Sequence, residues 1–219
     1  MAENSNETCK IVLIGESGVG KTSIINQYVE ETFKEDQLTS AGASFSTKKI
    51  ELKNGNIGTL EIWDTAGQEK FRSLTQLFYK EASAAILVYD ITRKNSFDEI
   101  KNYWIKQVKE KSPNNVIIAI VANKIDLFEN EEVEEKIARD FANNERALFM
   151  MTSAKNKEGI DELFENVANK IFKCFGDDDT NEGNTVDIIK QIRGKSVKIT
   201  NNNNNNNGDN ITKKKKGCC

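Results

Sequence analysis

Eight residues, Gly15-Glu16-Ser17-Gly18-Val19-Gly20-Lys21-Thr22, constrain this chain more than any other stretch. They fit the pattern GxxxxGK[ST] and lie between an apolar run, Lys10–Ile14, and an amphipathic segment, Lys21–Glu31. Glycines let a backbone wrap closely enough for several N–H groups to converge on phosphate oxygens, and the helix that follows adds the positive end of its dipole. Lys21 is expected to contact the β- and γ-phosphates, and Thr22 to place a hydroxyl on Mg²⁺. Gly15, Ser17, Gly18, Val19, Gly20 and Ser23 are expected to complete the cradle. A glycine-rich turn that binds nothing is the plain alternative, but it would need neither the lysine nor the threonine. The pattern specifies a nucleoside triphosphate and leaves the base open.

The rest of the chain supplies the sheet this loop needs. Strand candidates are Lys10–Ile14, Phe45–Leu52, Thr59–Trp63, Ala84–Asp90, Val116–Asn123 and Leu148–Thr152. Asn54-Gly55 is a turn signal, so the second and third are expected to form an antiparallel hairpin. Helices are predicted over Lys21–Glu31, Phe97–Glu110, Val133–Asn143 and Ile160–Phe175, with a shorter one near Leu74–Glu81. Strands alternating with helices imply an α/β fold with a six-stranded, mainly parallel sheet flanked by about five helices.

A second cluster of polar residues points to the base. Asn123-Lys124-Ile125-Asp126 follows a strongly apolar strand, where parallel sheets carry their ligand loops. An ionised Asp126 offers two acceptors that match the N1–H and N2–H₂ donors of guanine. Adenine would set a lone pair against that carboxylate, a mismatch that can be worth orders of magnitude. Asn123 can bond the base and brace the phosphate loop, while the Lys124 stem covers a ring face. Ser153-Ala154-Lys155, at another strand end, offers the Ala154 N–H to guanine O6, and Phe33 can close the far side of the base. GTP or GDP is the expected ligand.

Asp64-Thr65-Ala66-Gly67-Gln68 follows the third strand. Asp64 would hold Mg²⁺ through water. The Gly67 N–H can reach a γ-phosphate only while one is present, so this loop should respond to hydrolysis. Gln68 would orient the attacking water; an ordinary loop amide is the alternative.

The series GxxxxGKT, DTAGQ, NKxD and SAK, in this order, resembles the Ras-like small GTPases over roughly residues 9 to 175. Lys70-Phe71-Arg72-Ser73-Leu74-Thr75, Leu87-Val88-Tyr89-Asp90-Ile91-Thr92, Asn95-Ser96-Phe97 and the terminal Cys218-Cys219 resemble the Rab family in particular. That resemblance implies a P-loop NTPase fold and a GTP/GDP switch with slow hydrolysis, which recruits effectors in its GTP state and regulates vesicle traffic. It also implies exchange factors, GTPase-activating proteins, a GDP-dissociation inhibitor or prenylation escort, and effectors. No arginine occupies a position the family uses to stabilise the transition state in cis, so an activating protein is expected to supply one. Ser40 stands where these proteins usually carry threonine; it keeps the hydroxyl for Mg²⁺ and the backbone N–H for the γ-phosphate but loses a methyl, so somewhat weaker ordering of its segment is expected, with GTP binding retained. Phe45, Trp63 and Phe78 match an aromatic trio that Rab proteins present to effectors. On residue type alone, three core aromatics would serve as well.

Composition narrows the remaining classes. The chain has no histidine, which removes histidine acid–base chemistry and histidine metal sites. A net charge of −3 gives no reason to expect nucleic-acid binding, and a monomer is expected. Residues 1–8 read as a flexible N-terminus without a signal peptide, and 9–176 as the GTPase domain. Residues 177–219 carry Asn201–Asn207 and Lys213–Lys216, with too little apolar surface to fold, and read as a disordered tail. In a chain resembling Rab proteins, Cys218 and Cys219 imply double prenylation. The expected location is the cytoplasmic face of an endomembrane or the plasma membrane, with a cytosolic pool. Two prenyl groups give stable attachment where one acyl chain gives marginal binding.

Overall fold

A computed structural model describes residues 7–35, 42–51, 57–65 and 78–172. Six strands form one sheet: β1 (Glu7–Ile14), β2 (Ser44–Glu51), β3 (Ile57–Asp64), β4 (Ala84–Asp90), β5 (Ile117–Asn123) and β6 (Leu148–Thr152), in the spatial order β2-β3-β1-β4-β5-β6. β2 pairs antiparallel with β3, and the other pairings are parallel. The expected hairpin is present, while its Asn54-Gly55 turn lies outside the described residues.

Burial follows from position in the sheet. Every residue of β4 is buried, because a central parallel strand is covered on both faces. β2, at the edge, alternates between exposed and half-buried side chains. Helices α1 (Lys21–Val29) and α5 (Ile160–Ile171) close one face over Cys9, Ile11 and Leu13 of β1 and over Ala84, Ile86 and Val88 of β4. There Tyr28 stacks on Phe164 with ring centroids 3.9 Å apart. The alternate residues of the strands point to the opposite face. Tyr89 meets Phe97 of α2 (Lys94–Glu99) at 4.9 Å, and Phe97 meets Phe141 of α4 (Glu135–Asn144) edge-on at 5.8 Å.

The helix predicted over Phe97–Glu110 starts earlier and is not uniform. α2 runs through a π-helical stretch, Ile100–Trp104, into α3 (Ile105–Lys111). A 3₁₀-helix, Ile125–Asn130, that the periodicity gave no sign of follows β5. α5 ends at Ile171, four residues short of the predicted end. Most of the short helix near Leu74–Glu81 lies outside the described residues. No described helix is long and apolar enough to cross a membrane.

Candidate functional site

The loops that leave β1, β5 and β6 meet at the carboxyl ends of these parallel strands, around a cleft of about 310 Å³. Ser17, Gly18, Gly20, Lys21, Thr22 and Ser23 line one end; Asn123, Lys124, Asp126, Ala154 and Lys155 line the other, with Phe33 at the rim.

The glycines at both ends of the phosphate loop are required by close approach. A Cβ on Gly15 (φ 150°) would lie 2.2 Å from the Val88 carbonyl oxygen, and one on Gly20 (φ 97°) would lie 2.3 Å from Asn123 Nδ2. Within the loop, Lys21 donates from Nζ to the carbonyls of Gly15 and Glu16, each at 2.9 Å. Burial pushes this ammonium down to about 8, against the pull of Asp64 and Glu16. A buried cation whose charged form is disfavoured in this way is stabilised by an anion brought beside it. Val19 contributes backbone only, since its side chain is fully buried in the core.

Asn123 sits at the centre of the site and is 1% exposed. Its Nδ2 donates to the Val19 carbonyl at 2.8 Å, and its Oδ1 accepts from the Thr152 hydroxyl at 3.0 Å. One amide thus ties the phosphate loop to β5 and β6. Lys124 has left-handed backbone geometry (φ 67°), and its Nζ lies 2.7 Å from Asp90 Oδ2. Asp126 Oδ1 accepts from the Ser153 hydroxyl at 2.5 Å. Ser153 and Glu158 exchange backbone hydrogen bonds of 2.9 and 3.1 Å, closing the loop that carries Ala154 and Lys155. Lys155 pairs with Glu35 at 2.8 Å and Lys157 with Glu31 at 3.1 Å. Hydrogen bonding to Glu35 raises the Lys155 ammonium above its ordinary value.

Gly15, Val19, Asp64 and Ser153 hold cleft-lining residues in place without lining the cleft themselves. Thr65, Lys34, Glu35 and Leu127 line it and were missed by the sequence reading. Thr65 was signalled by its place in the DTAGQ run; its hydroxyl donates to the Leu13 carbonyl at 2.6 Å. Leu127 directly follows Asp126, whereas Lys34 and Glu35 carry no motif. Ser40, Gly67, Gln68, Cys218 and Cys219 lie outside the described residues.

The aromatic trio is together. Phe45 and Trp63 are partners in the β2–β3 register, with ring centroids 5.3 Å apart, and Trp63 lies 5.5 Å from Phe78. Phe45 is 55% exposed, while Trp63 and Phe78 are half-buried. Three core aromatics would not leave one of them largely in solvent.

Sheet order, phosphate loop and cleft define a P-loop nucleoside-triphosphate-binding protein. A Ras-family sequence profile matches residues 10–173. The Ras-related protein Rab-22A of Homo sapiens is 43% identical over 162 residues, covering 74% of this chain and 82% of its own length. Rab-31 of Rattus norvegicus is 43% identical over the same shares, and Rab-21 of Homo sapiens is 41% identical over 175 residues, covering 80% and 77%. The chain belongs to the Ras family as a Rab-like small GTPase. It binds guanine nucleotide with Mg²⁺, hydrolyses GTP in the service of membrane traffic, and works with GTPase regulators and effectors.

The residues present fit a magnesium ion. Thr22 donates from its hydroxyl to Asp64 Oδ2 at 2.5 Å, which sets two hard oxygens side by side where the phosphate loop meets β3. Asp64 is 3% exposed. A hydroxyl donor beside a carboxylate that would act through water, with the remaining positions left to water and phosphate, is the kind of hard-oxygen set Mg²⁺ prefers.

Proposed function

We propose that this cleft is the pocket of a GTP/GDP switch, with the base at its Asp126 end and the phosphates at its Lys21 end. The observation that carries the reading is the Asn123 side chain, which bonds the phosphate loop through Val19 and the base-side strand through Thr152. In this reading Asp126, oriented by Ser153, accepts from guanine N1–H and N2–H₂, and the Ala154 N–H donates to O6. Lys124 and Phe33 cover the ring faces. Lys21, with the backbone of Gly15, Ser17, Gly18, Val19 and Gly20, holds phosphate oxygens.

Thr22, Ser40 and, through water, Asp64 would hold Mg²⁺, which when bound offsets charge on the phosphate oxygens. The Gly67 N–H senses the γ-phosphate and Gln68 orients water for a slow, in-line attack. Phe45, Trp63 and Phe78 form a patch read by effectors in the GTP state, and an exposed apolar residue beside half-buried neighbours suits a hot spot with a polar rim. Exchange factors, a GTPase-activating protein and a GDP-dissociation inhibitor or prenylation escort act on the domain, taken as residues 9–176. Residues 177–219 form a tail, and lipids on Cys218 and Cys219 hold the monomer to a cytoplasmic membrane face.

Direct titration of the purified protein with GTP and ATP tests the pocket. A preference for GTP of about 10⁴-fold is expected, because adenine would leave the Asp126 carboxylate without its donors. Equal affinities would overturn the reading.

A further inference from the structure

The segment after β4 carries a network that links the two halves of the cleft. Asp90 ends β4 opposite Asn123 of β5, and its side chain is 2% exposed. Its Oδ1 accepts from the Thr92 N–H at 2.9 Å and from the Thr92 hydroxyl at 2.7 Å. Its Oδ2 takes two cations, Lys124 Nζ at 2.7 Å and Arg93 Nε at 3.2 Å. Arg93 then extends Nη2 to the Ser17 carbonyl at 2.9 Å, across 76 residues of sequence. Ser96, 2% exposed, fixes the turn: its hydroxyl accepts from the Asp90 N–H at 3.1 Å and donates to the Arg93 carbonyl at 2.7 Å.

We propose that Asp90 and Arg93 form a brace that couples the base loop to the phosphate loop and prolongs the hold on guanosine diphosphate. The proposal rests on the nucleotide reading above. Arg93 does not line the cleft; it is a positioning residue that acts through Ser17. In a trans peptide the carbonyl and the next N–H point opposite ways. Holding the Ser17 carbonyl outward therefore aims the Gly18 N–H inward, on the side where Gly18 lines the cleft. At the other end, the Asp90 carboxylate pins the Lys124 ammonium and so orients the stem that covers the base. A guanidinium suits this place because its planar fork serves two acceptors at once, whereas an ammonium on a flexible stem is a point charge.

Burial would by itself raise the Asp90 carboxyl, but bonds from Lys124 and Thr92 hold it below its ordinary value, so the anion at the hub is ionised at neutral pH. The Arg93–Asp90 pair taken alone would count for little, since the arginine side chain is 44% exposed. The bond to Ser17 gives it leverage, because one misdirected N–H in the cradle is felt by every phosphate the loop holds.

The experiment measures release of fluorescent GDP from wild type, Arg93→Ala, Arg93→Lys, Lys124→Ala and the Arg93→Ala/Lys124→Ala pair, with GMP affinity alongside. Arg93→Ala should speed GDP release by about tenfold. GMP, which has no β-phosphate, should lose less. Arg93→Lys should release GDP as fast as Arg93→Ala, because it cannot bridge Asp90 and Ser17. The double variant should release more slowly than the product of the two single effects predicts, since both cations meet on one carboxylate oxygen. Unchanged release in Arg93→Ala, full rescue by lysine, equal losses for GDP and GMP, or independent effects in the pair would each overturn the brace. Wild type that failed to hold GDP would remove the proposed function and the brace together, whereas tight wild-type binding with an unaffected Arg93→Ala would remove the brace alone.

Discussion

Replacing Gly20 by alanine places a methyl carbon 2.3 Å from Asn123 Nδ2, at a residue whose φ is 97°. Two costs follow. A left-handed conformation costs a residue with a Cβ about 1–2 kcal/mol. Relieving the clash also means giving up the Asn123–Val19 hydrogen bond, worth about 1 kcal/mol net. In the empty protein the loop can relax its φ and keep a bond to Asn123 in a shifted position, avoiding both costs; nucleotide binding forces it back into the geometry in which both apply. The sum of about 2–3 kcal/mol should appear as a loss of GDP affinity of about 30- to 150-fold. A fluorescent GDP titration measures it, with circular dichroism to show that the variant is folded. The mechanism is tested by the cycle with Asn123→Ala. Removing the amide makes room for the methyl, so the double variant should fall short of additivity by about 1 kcal/mol. Gly20→Ala binding within twofold of wild type, or strict additivity in the cycle, would refute the reasoning.

Three further expectations concern Lys21, Gln68 and the two terminal cysteines. The unfolded chain should hold its Lys21 proton up to 10.5, but the folded protein only to about 8, so nucleotide-free, magnesium-free protein gains stability as pH rises from about 8 towards 10.5. GDP binding should take up a proton over that window, and calorimetry near pH 8.5 in buffers of differing ionisation heat that found none would remove Lys21 as its source. Gln68→Leu should bind GTP normally and slow single-turnover hydrolysis by at least tenfold, about the loss of one positioning interaction; equal rates would take Gln68 out of the mechanism. Changing Cys218 and Cys219 to serine should leave the full-length protein in the soluble fraction of expressing cells, and persistent membrane fractionation would require another anchor.

What the sequence made legible and what it hid divide along one line. β4 and β6 have the predicted limits, because each is an apolar run that closes on a polar residue, Asp90 and Thr152. The phosphate loop was legible for a similar reason: its chemistry lies in eight consecutive residues. The π-helical stretch Ile100–Trp104 was not, since its departure from 3.6 residues per turn leaves the apolar pattern nearly unchanged over so short a span. The 3₁₀-helix after Asn123 is launched by Lys124 in a left-handed conformation, a backbone choice with no side-chain signature in a lysine. Asp90 is the instructive case. It was read as part of a strand motif, whereas its importance comes from the β4–β5 register that sets it beside Asn123, and from a turn that brings Arg93 back to Ser17. Register is a property of the assembled sheet, and a list of motifs does not contain it.

The same sheet suggests why grip and signal can be separate tasks. The proposed contacts to base and phosphates hang from β1, β4, β5 and β6, whose residues near the cleft are almost wholly buried and move only at the expense of the core. Ser40 precedes β2 and Gly67 follows β3, so both proposed γ-phosphate sensors are attached to the antiparallel hairpin at the sheet's edge. Phe45 and Trp63 face each other across that same hairpin, with Phe45 largely in solvent. A change at the γ-phosphate therefore has a short covalent route to the aromatic patch, five residues from Ser40 to Phe45 and four from Trp63 to Gly67. It need not pass through the strands that hold the base. Regions with fewer buried apolar contacts rearrange at lower free-energy cost than the core beside them. An edge hairpin that carries both the proposed sensors and the proposed effector patch could thus change state while the nucleotide stays held.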